Sequence, residues 1–136
     1  MTTTIKKSIH GNNFIKEPLG VILGVMPWNY PLWQLIRFLV PTLLAGNCCL
    51  IKPAHNVYKT ARLLEMFFNQ QKNKVCKITI VDDSNVGHLI KNKNIHGVSL
   101  TGSVRAGKSV GAIATEQIKP CVLELGGSDP FIIFED

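Results

Sequence analysis

The chain has 136 residues, 46% of them hydrophobic and 18% charged, with a formal net charge of +6. That length holds one domain at most and is enough to bury a sizeable core, and this composition fits a globular interior better than disorder. The positive excess lies in residues 1–16 and 72–93; the second stretch has no aromatic residue between its five lysines, so both read as solvated surface and no nucleic-acid partner is expected.

In chain order, residues 1–17 read as a polar lead-in and 18–136 as a single domain. No apolar segment follows Met1-Thr-Thr-Thr-Ile-Lys-Lys7, so no secretory signal is expected. Gly20–Met26 is a short apolar run that predicts a buried strand. A helix is expected from Pro31 to about Ala45, ended by Gly46-Asn47 and kinked or split at Pro41. Residues 18–51 are very apolar, but Pro27, Asn29, Pro31 and Pro41 break them into pieces too short to cross a membrane. Cys48–Ile51 predicts a second strand, and Asn56 the cap of a helix running to about Gln70. Lys77–Val81 predicts a third strand, Asp82-Asp83-Ser84 a turn, and residues 85–91 a short helix. A fourth strand near Val98–Leu100, a helix from Ser103 to about Ile118 and a fifth strand at Val122–Leu125 follow, with Phe131–Phe134 a candidate sixth. Apolar strands alternating with helices predict an α/β fold, a Rossmann-like parallel sheet of about five strands with helices on both faces.

Cys48, Cys49, Cys76 and Cys121 form no Cys-x-x-Cys pair and have no histidine at ligand spacing, so no metal site is expected. Three of them sit in apolar runs, as small buried hydrophobes in a reducing, cytoplasmic compartment would. His10, His88 and His96 lie in polar or turn-like stretches and read as surface residues.

Gly102-Ser-Val-Arg-Ala-Gly107-Lys108-Ser109 satisfies the phosphate-binding pattern G-x-x-x-x-G-K-[ST] between a predicted strand and a predicted helix. A nucleotide-hydrolysing enzyme also needs an acidic Mg²⁺ ligand and most of its sheet, usually downstream, and only 27 residues follow Ser109. A P-loop nucleotide-binding fragment is therefore the weaker alternative, beside a non-catalytic dinucleotide-binding module.

Four signatures in fixed order account for more: Pro27-Trp28-Asn29-Tyr30-Pro31, Lys52-Pro53-Ala54, Leu100-Thr101-Gly102-Ser103 and Glu124-Leu125-Gly126-Gly127. From about Glu17 to Asp136 the chain resembles the cofactor-binding half of aldehyde dehydrogenases. The likeness is strongest to the succinate-semialdehyde type, through Pro27-Trp-Asn-Tyr-Pro-Leu-Trp33, Thr101-Gly-Ser-Val-Arg-Ala-Gly107 and Glu124-Leu-Gly-Gly-Ser-Asp-Pro130. The resemblance implies NAD or NADP as cofactor, an aldehyde as substrate, and oligomers in the complete enzymes. In that family a thiolate attacks the carbonyl, hydride passes to the dinucleotide, and water hydrolyses the thioester.

On this resemblance Asn29, between Pro27 and Pro31, is the oxyanion donor, and Glu124, desolvated at the end of an apolar strand, activates the water. It further implies that Lys52 bonds the adenosine ribose, that Gly102 and Ser103 stand beside the pyrophosphate, and that Pro27, Trp28, Pro53, Gly107 and Gly126 complete the cofactor surface. Arg37, the only charge between Pro31 and Pro41, would grip a distal substrate carboxylate with its planar fork. His55 stands three residues after Lys52, where many NAD-preferring members carry an acid, so the choice of dinucleotide is open. The family nucleophile falls beyond Asp136, and Cys121 belongs to the wrong place and strand face to replace it, so the chain is expected to be truncated and inactive alone.

Overall fold

A computed structural model describes residues 5–9, 12–72 and 74–135. Its centre is a five-stranded, all-parallel sheet of β3 (Val21–Val25), β4 (Cys48–Lys52), β5 (Cys76–Ile78), β6 (Ile95–Gly102) and β7 (Cys121–Leu125), in the order β5-β4-β3-β6-β7. The crossovers carry α1 (Pro31–Leu44), α2 (Tyr58–Asn69), α3 (Val86–Lys91) and α4 (Val104–Glu116). The expected Rossmann-like arrangement is therefore the observed one.

Two apolar clusters, one on each face, hold the helices to the sheet. On one face Leu35 and Leu39 of α1, with Leu64 and Phe68 of α2, pack on Cys49, Ile51, Cys76 and Ile78. On the other, Val86 and Ile90 of α3 and Val110 and Ala114 of α4 pack on Leu23, Val98 and Leu100. Full burial of each such aliphatic side chain contributes about 1.5–3 kcal/mol. Gly24 lets α1 lie close, since a Cβ there would fall 2.5 Å from the Phe38 ring.

Polar side chains tie the strand entrances. Asn47 Oδ1 accepts from the amides of Leu19 (2.7 Å) and Gly20 (3.1 Å), and His96 Nδ1 accepts from the Val21 amide (3.2 Å). His96 is thus exposed, as expected, but has a structural partner. At the outer edge of β5, Asn69 closes both backbone groups of Ile78, accepting from its amide (3.0 Å) and donating to its carbonyl (3.2 Å). That leaves less of the sheet edge open to pairing.

Several local expectations are corrected. Two strands, β1 (Ile5–Ile9) and β2 (Asn12–Lys16), pair antiparallel where a polar lead-in was expected. The signal was there: isoleucine- and phenylalanine-bearing segments on either side of Gly11-Asn12. Helix α1 runs unbroken through Pro41, which gives up only the bond its missing N–H would have made to Arg37. Gly46, at φ 83°, follows its last turn as expected of a C-terminal glycine. Asn56 does not cap α2, because residues 55–57 form a 3₁₀ turn that leads into it. β5 is shorter and β6 longer than read, and residues 126–135 contain no sixth strand. Phe131–Phe134 are exposed there, with no described neighbouring strand to pair with. No helix among the described residues is long and apolar enough to cross a membrane.

Candidate functional site

In a parallel sheet with helices on both faces, ligands bind beyond the carboxyl ends of the strands, where the order reverses. Here that point lies between β3 and β6, whose following helices go to opposite faces. The four signatures occupy four of these carboxyl ends: Met26 and Pro27 after β3, Lys52 closing β4, Gly102 closing β6, and Gly126 after β7.

A cleft of about 390 Å³ opens there, lined by Pro27, Trp28, Asn29, Gln34, Arg37, Thr101, Gly102, Ser103, Glu124, Leu125 and Gly126. The structure therefore brings together eight of the residues singled out from sequence: Pro27, Trp28, Asn29, Arg37, Gly102, Ser103, Glu124 and Gly126. Gln34 and Thr101 belong to the cleft as well; Thr101 stood inside a signature without being given a role, and Gln34 was missed because a polar residue on a helix carries no signal alone. A second cavity of about 400 Å³ continues along α1 over β6 and β7, sharing Gln34, Arg37, Thr101 and Glu124.

Asn29 lies exposed in the bend between β3 and α1, and its side chain does not cap that helix. Arg37 and Glu124 meet across the cleft, Nη2 to Oε2 at 3.2 Å, with their side chains 53% and 50% exposed. The desolvated carboxylate expected from sequence is here a half-exposed one with a guanidinium beside it. Ser103 caps α4, its Oγ accepting from the Ala106 amide at 3.2 Å. The remaining first-turn amides have no intrahelical acceptor and face the carboxyl edge, a setting suited to an anionic group.

Gly107 is not at the cleft. It lies buried inside α4 against β7, where a Cβ would sit 2.5 Å from Leu125 Cδ2, so a larger residue there would have to displace the Leu125 side chain. Its amide donates to the Ser103 carbonyl at 2.9 Å. The same geometry removes the P-loop alternative: Gly107, Lys108 and Ser109 are a turn inside a regular helix, and no loop of free amides surrounds a phosphate.

Lys52 and Pro53 form a separate corner beside the cleft, both buried. The Met26 amide donates to the Lys52 carbonyl at 3.0 Å, which fixes the ends of β3 and β4 together. The Lys52 side chain is 2% exposed, and its Nζ donates to Asp83 Oδ1 at the start of the turn after β5. Asp83 is 69% exposed, and its other oxygen lies 3.5 Å from His55 Nδ1. The Lys52 hydrogen bond holds the Asp83 carboxyl below the usual carboxylate range, against a smaller opposing effect of burial. Sequence reading took Asp83 for a turn residue, since its partner lies 31 positions away.

All four cysteines are free thiols, and none lines the cleft. Burial pushes Cys49 up to about 12 and Cys76 up to about 11, and raises Cys121 as well. Cys121 packs toward the α3–α4 face while Glu124 faces α1, as strand alternation requires. No group of histidine, cysteine and carboxylate side chains fit to hold a metal occurs among the described residues.

A family model described as aldehyde dehydrogenase family matches residues 2–136. The chain is 49% identical over 122 residues to succinate semialdehyde dehydrogenase [NAD(P)+] Sad of Escherichia coli, across 88% of this chain and 26% of that protein. It is 48% identical over 119 residues to succinate-semialdehyde dehydrogenase [NADP(+)] of Mycobacterium avium, across 86% of this chain and 25% of that protein. It thus spans about a quarter of the length of these curated relatives. Among solved structures, succinic semialdehyde dehydrogenase of Streptococcus pyogenes in complex with NADP+ superposes with a TM-score of 0.82 at 31% identity, over 98% of this chain and 30% of that one. Mycobacterium tuberculosis aldehyde dehydrogenase complexed with NAD+ superposes with a TM-score of 0.77 at 33% identity, over 91% and 26%. The four signatures, the strand ends that carry them and these likenesses agree, and the chain belongs to the aldehyde dehydrogenase family.

Proposed function

We propose that this chain is the dinucleotide-binding region of an NAD(P)-dependent dehydrogenase that oxidises an aldehyde bearing a distal carboxylate, succinate semialdehyde best of all. The observation that carries this reading is one cleft at the strand-order reversal that holds an amide, a guanidinium, a carboxylate and a helix N-terminus together. The names of the similar proteins, which include both NAD(P)+ and NADP(+), support the cofactor class and the substrate.

The residues fit the group. A pyrophosphate would meet the first-turn amides of α4 beside Gly102 and Ser103, and the adenosine ribose would meet the Lys52 corner. A cavity of about 250 Å³ beyond that corner, walled by Val25, Leu100, Val110 and Ile113 with Asp83 at its rim, matches a flat aromatic base. The bound dinucleotide supplies the hydride acceptor. Asn29 donates its amide hydrogen to the aldehyde oxygen as negative charge develops there, and Arg37 holds the distal carboxylate in a fork of two hydrogen bonds. Glu124 takes the proton from the water that completes the acid. None of the four thiols lines the cleft to act as the attacking nucleophile. A substrate carboxylate at Arg37 competes with Glu124 for the same guanidinium, so binding of the correct substrate releases the base for its work.

The test is calorimetric titration of the purified chain with NAD+ and NADP+. At least one is expected to bind, with affinity falling about tenfold or more in Lys52→Met. Binding of neither would overturn the reading.

A further inference from the structure

We propose that Asp83 selects the dinucleotide: its carboxylate accepts a hydrogen bond from the 2′-hydroxyl of the adenosine ribose and repels a 2′-phosphate, so this chain favours NAD over NADP. The inference rests on the reading of the carboxyl edge as a dinucleotide site. In many dinucleotide-binding folds an acid at the second strand's end bonds the ribose hydroxyl. Here the positions just after β4 offer Pro53, Ala54, His55 and Asn56, none of them acidic. The carboxylate arrives instead from the next strand over, through Asp83 at the start of the turn that follows β5.

Three observations carry the assignment. Asp83 is fixed, with Oδ1 on the buried Lys52 ammonium and Oδ2 facing His55 at 3.5 Å. It is also accessible, being 69% exposed at the rim of the apolar cavity between α3 and α4. Finally, the charges near it do not favour a dianion. Lys52 is already matched by Asp83, Asp82 adds a second exposed carboxylate beside it, and among the described residues His55 is the only other cationic candidate in contact. The hydrogen bond from Lys52 keeps Asp83 ionised at neutral pH. A 2′-phosphate a few ångströms from an ionised carboxylate loses about tenfold or more in affinity even in a solvated setting.

The experiment compares binding of NAD+, NADP+, 5′-AMP and adenosine 2′,5′-bisphosphate to the chain by calorimetry. The wild type is expected to bind NAD+ and 5′-AMP about tenfold or more tightly than their 2′-phosphorylated counterparts. Asp83→Asn is expected to bring each ratio within about threefold, and Asp83→Glu to restore it. Equal or tighter binding of the 2′-phosphorylated ligands by the wild type overturns the role of Asp83 whether or not a variant folds, and leaves the dinucleotide reading standing. An unchanged ratio in an Asp83→Asn protein that melts cooperatively does the same. If neither dinucleotide binds the wild type, the dinucleotide reading falls and this inference with it.

Discussion

Two ion pairs stand at the carboxyl edge of the sheet and differ in what surrounds them. In Lys52–Asp83 the cation is almost wholly buried and the anion is in water; in Arg37–Glu124 both partners are about half exposed. Desolvating one charge makes its partner indispensable, because the ammonium cannot recover its lost hydration elsewhere. A pair left in water contributes little, since solvent replaces either partner at small cost. The buried pair is therefore a fixed piece of architecture. The open one is an exchangeable contact, the kind a substrate carboxylate can displace.

That contrast can be broken by removing each acid or base in turn. Asp83→Ala should cost about 2 kcal/mol or more in urea-induced unfolding, by leaving Lys52 buried without its carboxylate; a loss below about 0.5 kcal/mol would make the two pairs equivalent. Acid should expose the same asymmetry. Because the folded state lowers the Asp83 pKa, its stabilisation is fully present above the ordinary carboxylate value and is lost as pH falls through the lowered one. Melting temperatures of wild type and Asp83→Asn measured from pH 6 downward should begin to approach each other below about pH 4 and converge only beneath the lowered Asp83 value; parallel curves would deny the linkage. The smallest stability effect belongs to Arg37→Ala, within about 0.5 kcal/mol and smaller still in salt. Under the proposed function, the same substitution should raise KM for succinate semialdehyde about tenfold while leaving a neutral aldehyde such as butanal unaffected.

The alternation of apolar strands with helices was legible because burial on both faces writes itself as continuous apolar runs such as Val21–Val25 and Cys48–Ile51. Ser103 was legible as a cap, because its role depends only on an amide three residues on. What was not legible is what depends on contacts distant in sequence. Lys52 meets Asp83 across 31 positions, and Arg37 meets Glu124 from another element altogether. Gly107 fits a phosphate-binding pattern by letter, yet its neighbour in the fold is the Leu125 side chain. Phe131–Phe134 has the composition of a strand, but strand formation also needs a neighbour to pair with. Sequence reading named eight residues that line the cleft, whereas Lys52, Pro53 and Gly107 lie elsewhere, and the ion-pair partners of Lys52 and Glu124 come only from the fold.

The strand order β5-β4-β3-β6-β7 bears on how the chain reaches this state. The central strand β3 precedes the other strands of its sheet in the chain, and β4 covers one of its sides after a single crossover. Its other side waits for β6, with Val21 and His96 75 residues apart. A ribosome releasing this chain therefore exposes half of the sheet's innermost strand while α1, α2, β5 and α3 are being synthesised. Such non-local parallel pairing closes slowly, and an unpaired central edge is an invitation to association with other nascent chains. Folding yield should thus depend on chaperone supply and on synthesis rate more than the native contacts alone would indicate.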